Sequence, residues 1–224
     1  MGADIIRLSM ELIVISGPGC FEGEAGLING LFEAGLEVFH LRKPGADIAD
    51  CARLLEAVSG CYRGRIALHQ HHELARVFGM GRLHFTEAHR RSAGPEVFAE
   101  LSRDFVLSTS VHRMVDLMAL RDFDYAFMGP VFDSFSKPDY RGCCSLQRDG
   151  GAKALQALAL GGMKQLAFRG MKVIALGGIG PGTIGIAKKL GFDGAAMLGW
   201  VWNEPAKAID HFKQVKCRIR ENMY

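Results

Sequence analysis

The sequence predicts a single (β/α)8 barrel, an α/β domain of the TIM-barrel type, on three observations. Short apolar runs typical of buried parallel strands alternate with helical patterns along the whole chain, without a linker or low-complexity break. Eight such pairs in 224 residues suit one barrel of about 200–250 residues. Near the C-terminus, two predicted strands that are each followed by glycine lie close together in the sequence, as in the last two units of a barrel. An open doubly wound sheet is the alternative.

Each element is predicted from its local pattern. The strands have short apolar cores, and the helices show apolar residues at helical spacing or recognisable start and stop residues. The predicted strands are 11–16, 37–41, 65–68, 82–85, 105–108, 125–128, 173–176 and 194–198. The predicted helices lie near 23–34, 48–58, 72–78, 95–102, 113–120, from 152 onward, 183–190 and 205–221.

Residues 172–199 form the most informative stretch, read as strand, glycine turn, helix and strand. Gly177 and Gly178 lack a Cβ, so the backbone there can approach a ligand closely. The loops after the last two strands of such a barrel commonly hold a phosphate through backbone N–H groups. The alternative is that these glycines serve only tight turns.

Composition excludes several classes of function. The formal net charge is +3 and the charges of both signs are interspersed, so the sequence shows no basic cluster of the kind that binds nucleic acid. The six cysteines form no CxxC pair, and no apolar run is long enough to span a bilayer, so a reduced cytoplasm is expected. Residues 1–9, ahead of Met10, are interpreted as either a native N-terminal extension or a remnant of cloning, and residues 10–224 as the barrel.

Polar and basic residues concentrate at the predicted carboxyl ends of strands two to six, where the active site of such a barrel lies. Histidine, arginine, lysine and hydroxyl groups together suit a small anionic, phosphorylated ligand. The set comprises His40, Arg42, Lys43, His69, Gln70, His71, His72, Glu73, His84, Glu87, His89, Ser108, Thr109, Ser110, His112, Ser134, Ser136 and Lys137.

Seven stretches, in this order, resemble the thiamine phosphate synthase and TenI family. They are FHLRK (39–43), ALHQHHELA (67–75), RLHFTEAH (82–89), STSVH (108–112), DYAFMGPVFDSFSK (124–137), VIALGGI (173–179) and GFDGAAMLG (191–199). The resemblance covers nearly all of the chain from Met10 onward. It implies a (β/α)8 barrel that handles the thiazole phosphate half of thiamin. In synthases this half is joined to an aminopyrimidine carried as a diphosphate, and pyrophosphate leaves.

The resemblance also implies roles for individual positions. His40 stands where a glutamine contacts the pyrimidine, and Ser134 and Ser136 replace two threonines near the thiazole phosphate. The implied catalytic residues are His112, Arg42 and Lys137. The implied substrate-binding residues are His40, His69, Ser110, Ser134, Ser136, Gly177, Gly178, Leu198 and Gly199.

The chain departs from the synthase pattern where magnesium is bound. Synthases place asparagine and then aspartate at the end of strand three, but these positions are His69 and Gln70 here. A second metal-binding aspartate, after strand four, aligns with His89. Mg²⁺ prefers hard oxygen ligands, so the metal ligands of this chain are unknown. The family lysine two residues beyond Arg42 is also missing, because Lys43 sits one place early.

TenI-type members share the barrel but isomerise a thiazole carboxylate phosphate to its aromatic tautomer without metal. Their acid/base is a histidine in an S-V-H stretch, which matches residues 110–112 here. An imidazole can accept and return a proton near neutral pH, which makes His112 the expected acid/base. A structural role for His112, capping the following helix, is the alternative.

Three hypotheses therefore stand. The first is a thiamin-pathway enzyme, either a synthase that needs Mg²⁺ or a tautomerase that needs no cofactor. The second is a zinc hydrolase built from His69, His71, His84 and His112. The third is a non-catalytic paralogue that binds thiazole phosphate or thiamin phosphate. Small phosphorylated molecules are the expected partners, without nucleic acid or membrane. A homodimer is expected because this family often dimerises.

Overall fold

The computed structural model describes residues 10–133 and 170–221, and its strands form a closed parallel barrel. The eight strands pair in chain order from β1 to β8, and β8 pairs with β1 in parallel to close the sheet. The predicted (β/α)8 barrel is confirmed, and the open doubly wound sheet is wrong. Among the described helices, none is both long and apolar enough to cross a membrane.

The strands agree closely with the sequence prediction. They are β1 (Glu11–Ile15), β2 (Val38–Leu41), β3 (Ile66–Leu68), β4 (Arg82–Phe85), β5 (Val106–Val111), β6 (Tyr125–Met128), β7 (Lys172–Leu176) and β8 (Gly194–Met197). One strand differs in a way that matters for the site. β5 continues to Val111, three residues further than predicted, because its ladder with β6 extends to the Val111–Met128 pair. Ser110 therefore lies on a rigid strand instead of in a loop.

The described helices include three short ones that the sequence did not predict. The helices are α1 (Glu24–Glu33), α2 (Ile48–Ala57), α3 (Gly60–Arg63), α4 (Leu74–Phe78), α5 (Glu87–Ser92), α6 (Pro95–Leu101), α7 (Met114–Met118), α8 (Ile184–Lys189), α9 (Gly199–Trp202) and α10 (Ala208–Glu221), with a 3-10 turn at Pro205–Lys207. The unpredicted ones are α3, α5 and α9. All three are too short to show an apolar period, although Thr86 caps α5 by accepting a hydrogen bond from the His89 N–H.

Two apolar layers follow from the alternation of side chains along the strands. Outward-facing residues pack against the surrounding helices in one large buried cluster. Inward-facing residues fill the barrel itself with a smaller cluster that includes Ile13, Val38, Tyr125, Phe127 and Ile174. The interior of the barrel is therefore packed with apolar side chains over the described strands.

A buried ion pair joins the loops that follow β1 and β2. The Lys43 ammonium donates to the Glu24 carboxylate at 2.5 and 2.7 Å, and both side chains are almost completely buried. It also donates to the carbonyls of Gly17 and Gly19, at 3.0 and 2.7 Å. Burial raises the pKa of the Glu24 carboxyl, and the hydrogen bonds and charge of Lys43 oppose that rise. Lys43 is thus committed to the fold and is not presented to a ligand.

We predict that Lys43→Met lowers the free energy of unfolding by about 3–5 kcal/mol, because Glu24 would remain buried without a counter-charge. Urea denaturation measures this change. Arg76→Gln is the matched control, because Arg76 pairs with Asp104 at the exposed surface and its loss should cost less than about 1 kcal/mol. Equal losses in the two variants would contradict the structural role assigned to Lys43.

Candidate active site

Three histidines meet at the carboxyl end of the barrel interior. His40 is on β2, His84 is on β4, and His69 directly follows β3. All three point inward. His40 lies two residues after Val38, which belongs to the interior cluster, and His69 and His84 alternate with outward-packed residues of the large cluster, namely Leu68, Leu83 and Phe85. His40 and His84 are buried, and His69 is partly exposed. The three side chains form the floor of the barrel mouth.

The three rings contact one another directly. His40 Nδ1 lies 2.9 Å from His69 Nε2, so one of these two nitrogens carries the shared hydrogen. The rings of His69 and His84 stack with their centroids 4.0 Å apart. One ligand nitrogen from each of the three residues can be chosen so that all lie within 4.8 Å of one another. We call these three residues the histidine cluster.

Hydroxyl groups form hydrogen bonds with ring nitrogens of His84 and His40 and so orient these two rings. Ser108 donates to the Leu83 carbonyl at 3.2 Å, so its oxygen accepts from the Nδ1–H of His84 at 2.9 Å. The Nε2 of His84 therefore carries no hydrogen, and its lone pair faces the Ser110 hydroxyl at 3.1 Å. Tyr125 OH lies 2.7 Å from His40 Nε2.

Burial also sets the protonation of these groups. It lowers the pKa of His40 and of His69 well below 6.5, with a further contribution from the neighbouring His84. It lowers the pKa of His84 to about 3 and raises that of Tyr125 to about 12. The cluster is therefore a set of neutral imidazoles at pH 7, next to a protonated phenol.

Sequence reasoning missed Tyr125 as a member of this network, and it placed Ser108 among the polar residues of the rim without a role. An aromatic residue on an apolar strand reads as core, and Tyr125 does pack against Phe127 there. The signal that could have found both residues is parity. Ser108 lies two residues before Ser110, and the register pairs Ser108 with both His84 and Tyr125.

His112 lies at the rim, one step beyond the strand. Its Nδ1–H donates to the Gly129 carbonyl at 2.7 Å, which fixes the tautomer and leaves Nε2 as the basic nitrogen. Nε2 is 3.7 Å from a Glu87 carboxylate oxygen, and the side chain is 57% exposed. The alternative that His112 caps the following helix is wrong, because Arg113 occupies the N-cap of α7 and that cap has no side-chain hydrogen bond.

Arg42 follows β2 and is held through its backbone. Its N–H donates to the Ser16 hydroxyl at 2.8 Å, and that hydroxyl donates back to the Arg42 carbonyl at 2.9 Å. Within residues 10–133 and 170–221, no hydrogen bond or ion pair engages its guanidinium. Ser16 thus fixes the backbone of Arg42, whose side chain is half-buried and carries the guanidinium.

The glycine turn after β7 has a clear packing role. Gly177 and Gly178 both have positive φ, and a Cβ on Gly178 would lie 2.3 Å from the Asp133 carbonyl oxygen. The Phe132 N–H donates to the Gly177 carbonyl at 3.1 Å, so the loops after β6 and β7 are in contact. Tight packing therefore accounts for these glycines, and phosphate binding there stays a prediction.

The loop after β8 turns directly into α9. Leu198 is the N-cap of α9, and its carbonyl accepts from the Trp202 N–H at 3.1 Å. Gly199 is the first residue of that helix. Ser134, Ser136 and Lys137 lie outside the described residues, as does the predicted helix beginning near residue 152.

The two magnesium positions of the family do not fit that ion in this chain. The Gln70 side chain offers a neutral amide oxygen in place of the aspartate carboxylate, and its Nε2 is buried without a hydrogen-bond partner in the described parts of the chain. His89 is exposed on α5 and stacks parallel to His72 at 5.9 Å. The nearby carboxylates do not replace them, because Glu73 is 64% exposed and Glu87 pairs with Arg91 and His112.

The histidine set predicted for zinc is also corrected. The imidazoles that come together in the described structure are His40, His69 and His84. His71 instead donates through Nε2 to the Ala46 carbonyl at 3.1 Å, and His112 is bound to Gly129. The H-x-H spacing of residues 69 and 71 misled because His71 has a left-handed backbone, with φ of 54°, that turns it away.

Fold and site together define a (β/α)8 barrel whose mouth is lined by neutral imidazoles and hydroxyl groups. The family model described as thiamine monophosphate synthase matches residues 12–201. The chain therefore belongs to the thiamine phosphate synthase and TenI family, a family of thiamin biosynthesis, as its motifs predicted.

Solved structures agree. A thiamine phosphate pyrophosphorylase from Bacteroides thetaiotaomicron is 28% identical, with 94% of this chain and 98% of that chain covered and a TM-score of 0.71. One from Pyrococcus furiosus is 16% identical, covers 98% and 100%, and has a TM-score of 0.73. Phosphoribosyl anthranilate isomerase from Thermus thermophilus shares the fold at 12% identity, 93% and 98% coverage and a TM-score of 0.58. Comparison with curated proteins finds no match.

We predict that the free energy of unfolding falls as the pH drops below about 6.5. The histidines of the unfolded chain bind protons at that pH, whereas the buried imidazoles of the folded protein stay neutral. For His84 the loss continues toward its pKa of about 3. His84→Gln should therefore flatten the profile by up to about 1.4 kcal/mol per pH unit. Urea denaturation from pH 8 to pH 5, in chelator, measures both slopes. Parallel profiles for the wild type and the variant would contradict the prediction.

Proposed function

We propose that this protein is a thiamin-pathway isomerase that converts a thiazole carboxylate phosphate to its aromatic tautomer, with His112 as the acid/base. The observation that carries the proposal is the fixed tautomer of His112. Its Nδ1–H is held by the Gly129 carbonyl at 2.7 Å, and its basic Nε2 is exposed at the rim. A base that is already oriented can act without further reorganisation.

The reaction is a proton relocation without net gain or loss of atoms. A C–H bond of the substrate breaks toward Nε2 of His112, and its electron pair enters the ring as the ring becomes aromatic. The proton then returns to another atom of the same substrate. Glu87, 3.7 Å from Nε2, stabilises the imidazolium that exists between the two transfers.

The proposed binding mode places the phosphate between the loops after β7 and β8. Gly177 and Gly178 and the backbone at Leu198 and Gly199 would supply N–H donors there, as the family resemblance implies. The heterocycle would lie over the neutral histidine cluster, with Ser110 at its edge. The stacked rings of His69 and His84 offer it an aromatic surface.

Two features support an isomerase over a transferase. The magnesium positions hold Gln70 and His89, which do not suit that ion. Lys43, the basic residue next to Arg42, is buried against Glu24. A leaving pyrophosphate would therefore lack the carboxylate-bound magnesium ion and one of the basic side chains that the synthase pattern supplies.

The synthase reaction is the second candidate, and Arg42 favours it. Its guanidinium has no partner within the described ranges, which suits a cation reserved for an anion. The Bacteroides thetaiotaomicron relative also carries the name thiamine phosphate pyrophosphorylase. Arg42 and Lys137 would then stabilise the charge that develops on the departing pyrophosphate.

We expect His112→Gln to lower the kcat of tautomerisation by about 10²–10⁴-fold while leaving the affinity for the thiazole carboxylate phosphate unchanged. Absorbance or NMR follows the conversion, and calorimetry gives the affinity. Arg113→Gln is the matched control, because Arg113 is the adjacent exposed residue and pairs only with Asp116 in the described structure. Full activity in His112→Gln would exclude His112 as the acid/base. A wild-type protein that binds the substrate tightly but shows no turnover would favour a non-catalytic paralogue.

A second experiment separates the two reactions. The purified protein is mixed with the aminopyrimidine diphosphate and thiazole phosphate, with and without Mg²⁺, and thiamin phosphate and pyrophosphate are measured. We expect no product under either condition, because neither family metal position holds a carboxylate. Product that depends on Mg²⁺, and is lost in Arg42→Gln, would establish the synthase instead.

A further inference from the structure

We propose that the histidine cluster of His40, His69 and His84 is a binding site for a transition-metal ion of the zinc class. This site is distinct from the magnesium positions of the family, which fall on Gln70 and His89. It does not rest on the proposed isomerase reaction, since it concerns the floor of the mouth and not the rim where His112 lies.

The spacing of the donor atoms suits such an ion. A tetrahedral zinc ion with nitrogen ligands at about 2.0–2.1 Å holds those nitrogens about 3.3 Å apart. His40 Nδ1 and His69 Nε2 are 2.9 Å apart, and one nitrogen of His84 completes a set within 4.8 Å. The rings of His69 and His84 are stacked, with an interplanar angle of 25°, so they must tilt for their in-plane lone pairs to converge on one ion.

The surrounding hydrogen bonds present the correct nitrogens. Ser108 accepts from the Nδ1–H of His84, so the Nε2 of His84 carries a lone pair, which faces the Ser110 hydroxyl at 3.1 Å and which an ion would take over from that hydroxyl. Tyr125 OH can accept from the Nε2–H of His40, which leaves His40 Nδ1 for the ion. Hydrogen bonds of this kind to the second ring nitrogen are typical of metal-bound histidines, where they fix the ring and raise its basicity.

The donor set determines the class of ion. Three neutral imidazoles without a carboxylate suit Zn²⁺, and also Co²⁺, Ni²⁺ or Cu²⁺, whereas Mg²⁺ and Ca²⁺ require oxygen ligands. Three protein ligands leave a fourth coordination position open, as in catalytic and not structural zinc sites. A nitrogen or oxygen atom of a small molecule bound in the mouth would occupy that position.

The test is metal binding by the full chain, without an affinity tag and after removal of metal by chelator. Calorimetry with Zn²⁺ should give one ion per chain, and Co²⁺ should give the visible absorption of a tetrahedral site. His40→Gln and His84→Gln should each raise the Kd for Zn²⁺ by at least about 100-fold, and Tyr125→Phe by about 10-fold. His71→Gln is the matched control and should leave the Kd unchanged, because His71 is bound to Ala46 outside the cluster.

The outcomes are separable from those of the proposed function. His112→Gln should bind Zn²⁺ as the wild type does, whatever its turnover. No saturable binding of Zn²⁺ by the wild type, or equal losses in His71→Gln and His84→Gln, would overturn the metal site. If the buried variants fail to fold, the Co²⁺ spectrum of the wild type still decides, since a spectrum of octahedral, water-rich Co²⁺ would also overturn it.

Discussion

Closure of the parallel sheet is the constraint on which the rest of this molecule depends. In a closed barrel every second side chain must point inward, and all carboxyl strand ends must meet at one rim. Residues that lie far apart in sequence, such as His84 and Ser110 or His40 and Tyr125, are thereby brought within hydrogen-bond reach. The apolar packing below them, around Phe127 and Ile174, keeps water from reaching the rings from beneath.

Desolvation gives that mouth its chemical character. A group of imidazoles in water would be partly protonated and would repel one another, but burial keeps these rings neutral. The hydroxyls of Ser108, Ser110 and Tyr125 then supply the hydrogen bonds that neutral rings require. The floor of the mouth is therefore polar without being charged, and among the described residues the charged groups Arg42 and Glu87 lie at its edge.

Much of the fold could be predicted from the sequence because parallel strands leave a strong local signal. Each strand is a short apolar run, and the order of the runs defines the barrel. The helices α3, α5 and α9 were not predicted, since none of them shows an apolar period, whereas α4, α7 and α8 are also short but lie in the expected places between two strands.

The candidate site was predicted less completely for a different reason. Position along a strand identified His40, His69, Ser110 and His112, but spacing alone does not show which histidines share a partner. His71 was grouped with His69 because they are two residues apart, and a single left-handed residue changes that relation. Tyr125 was overlooked because its ring belongs to the core and only its hydroxyl belongs to the mouth.

The buried pair of Lys43 and Glu24 has a consequence for how readily this barrel could change its chemistry. Moving the basic residue one place along the chain, to the family position now held by Pro44, would remove the cation that neutralises Glu24 and anchors the carbonyls of Gly17 and Gly19. A route from this chain to a magnesium-dependent enzyme would thus require a replacement for Glu24 before any gain at the rim. The packing and the chemistry of this strand end are coupled, so a substitution that changes one also changes the other.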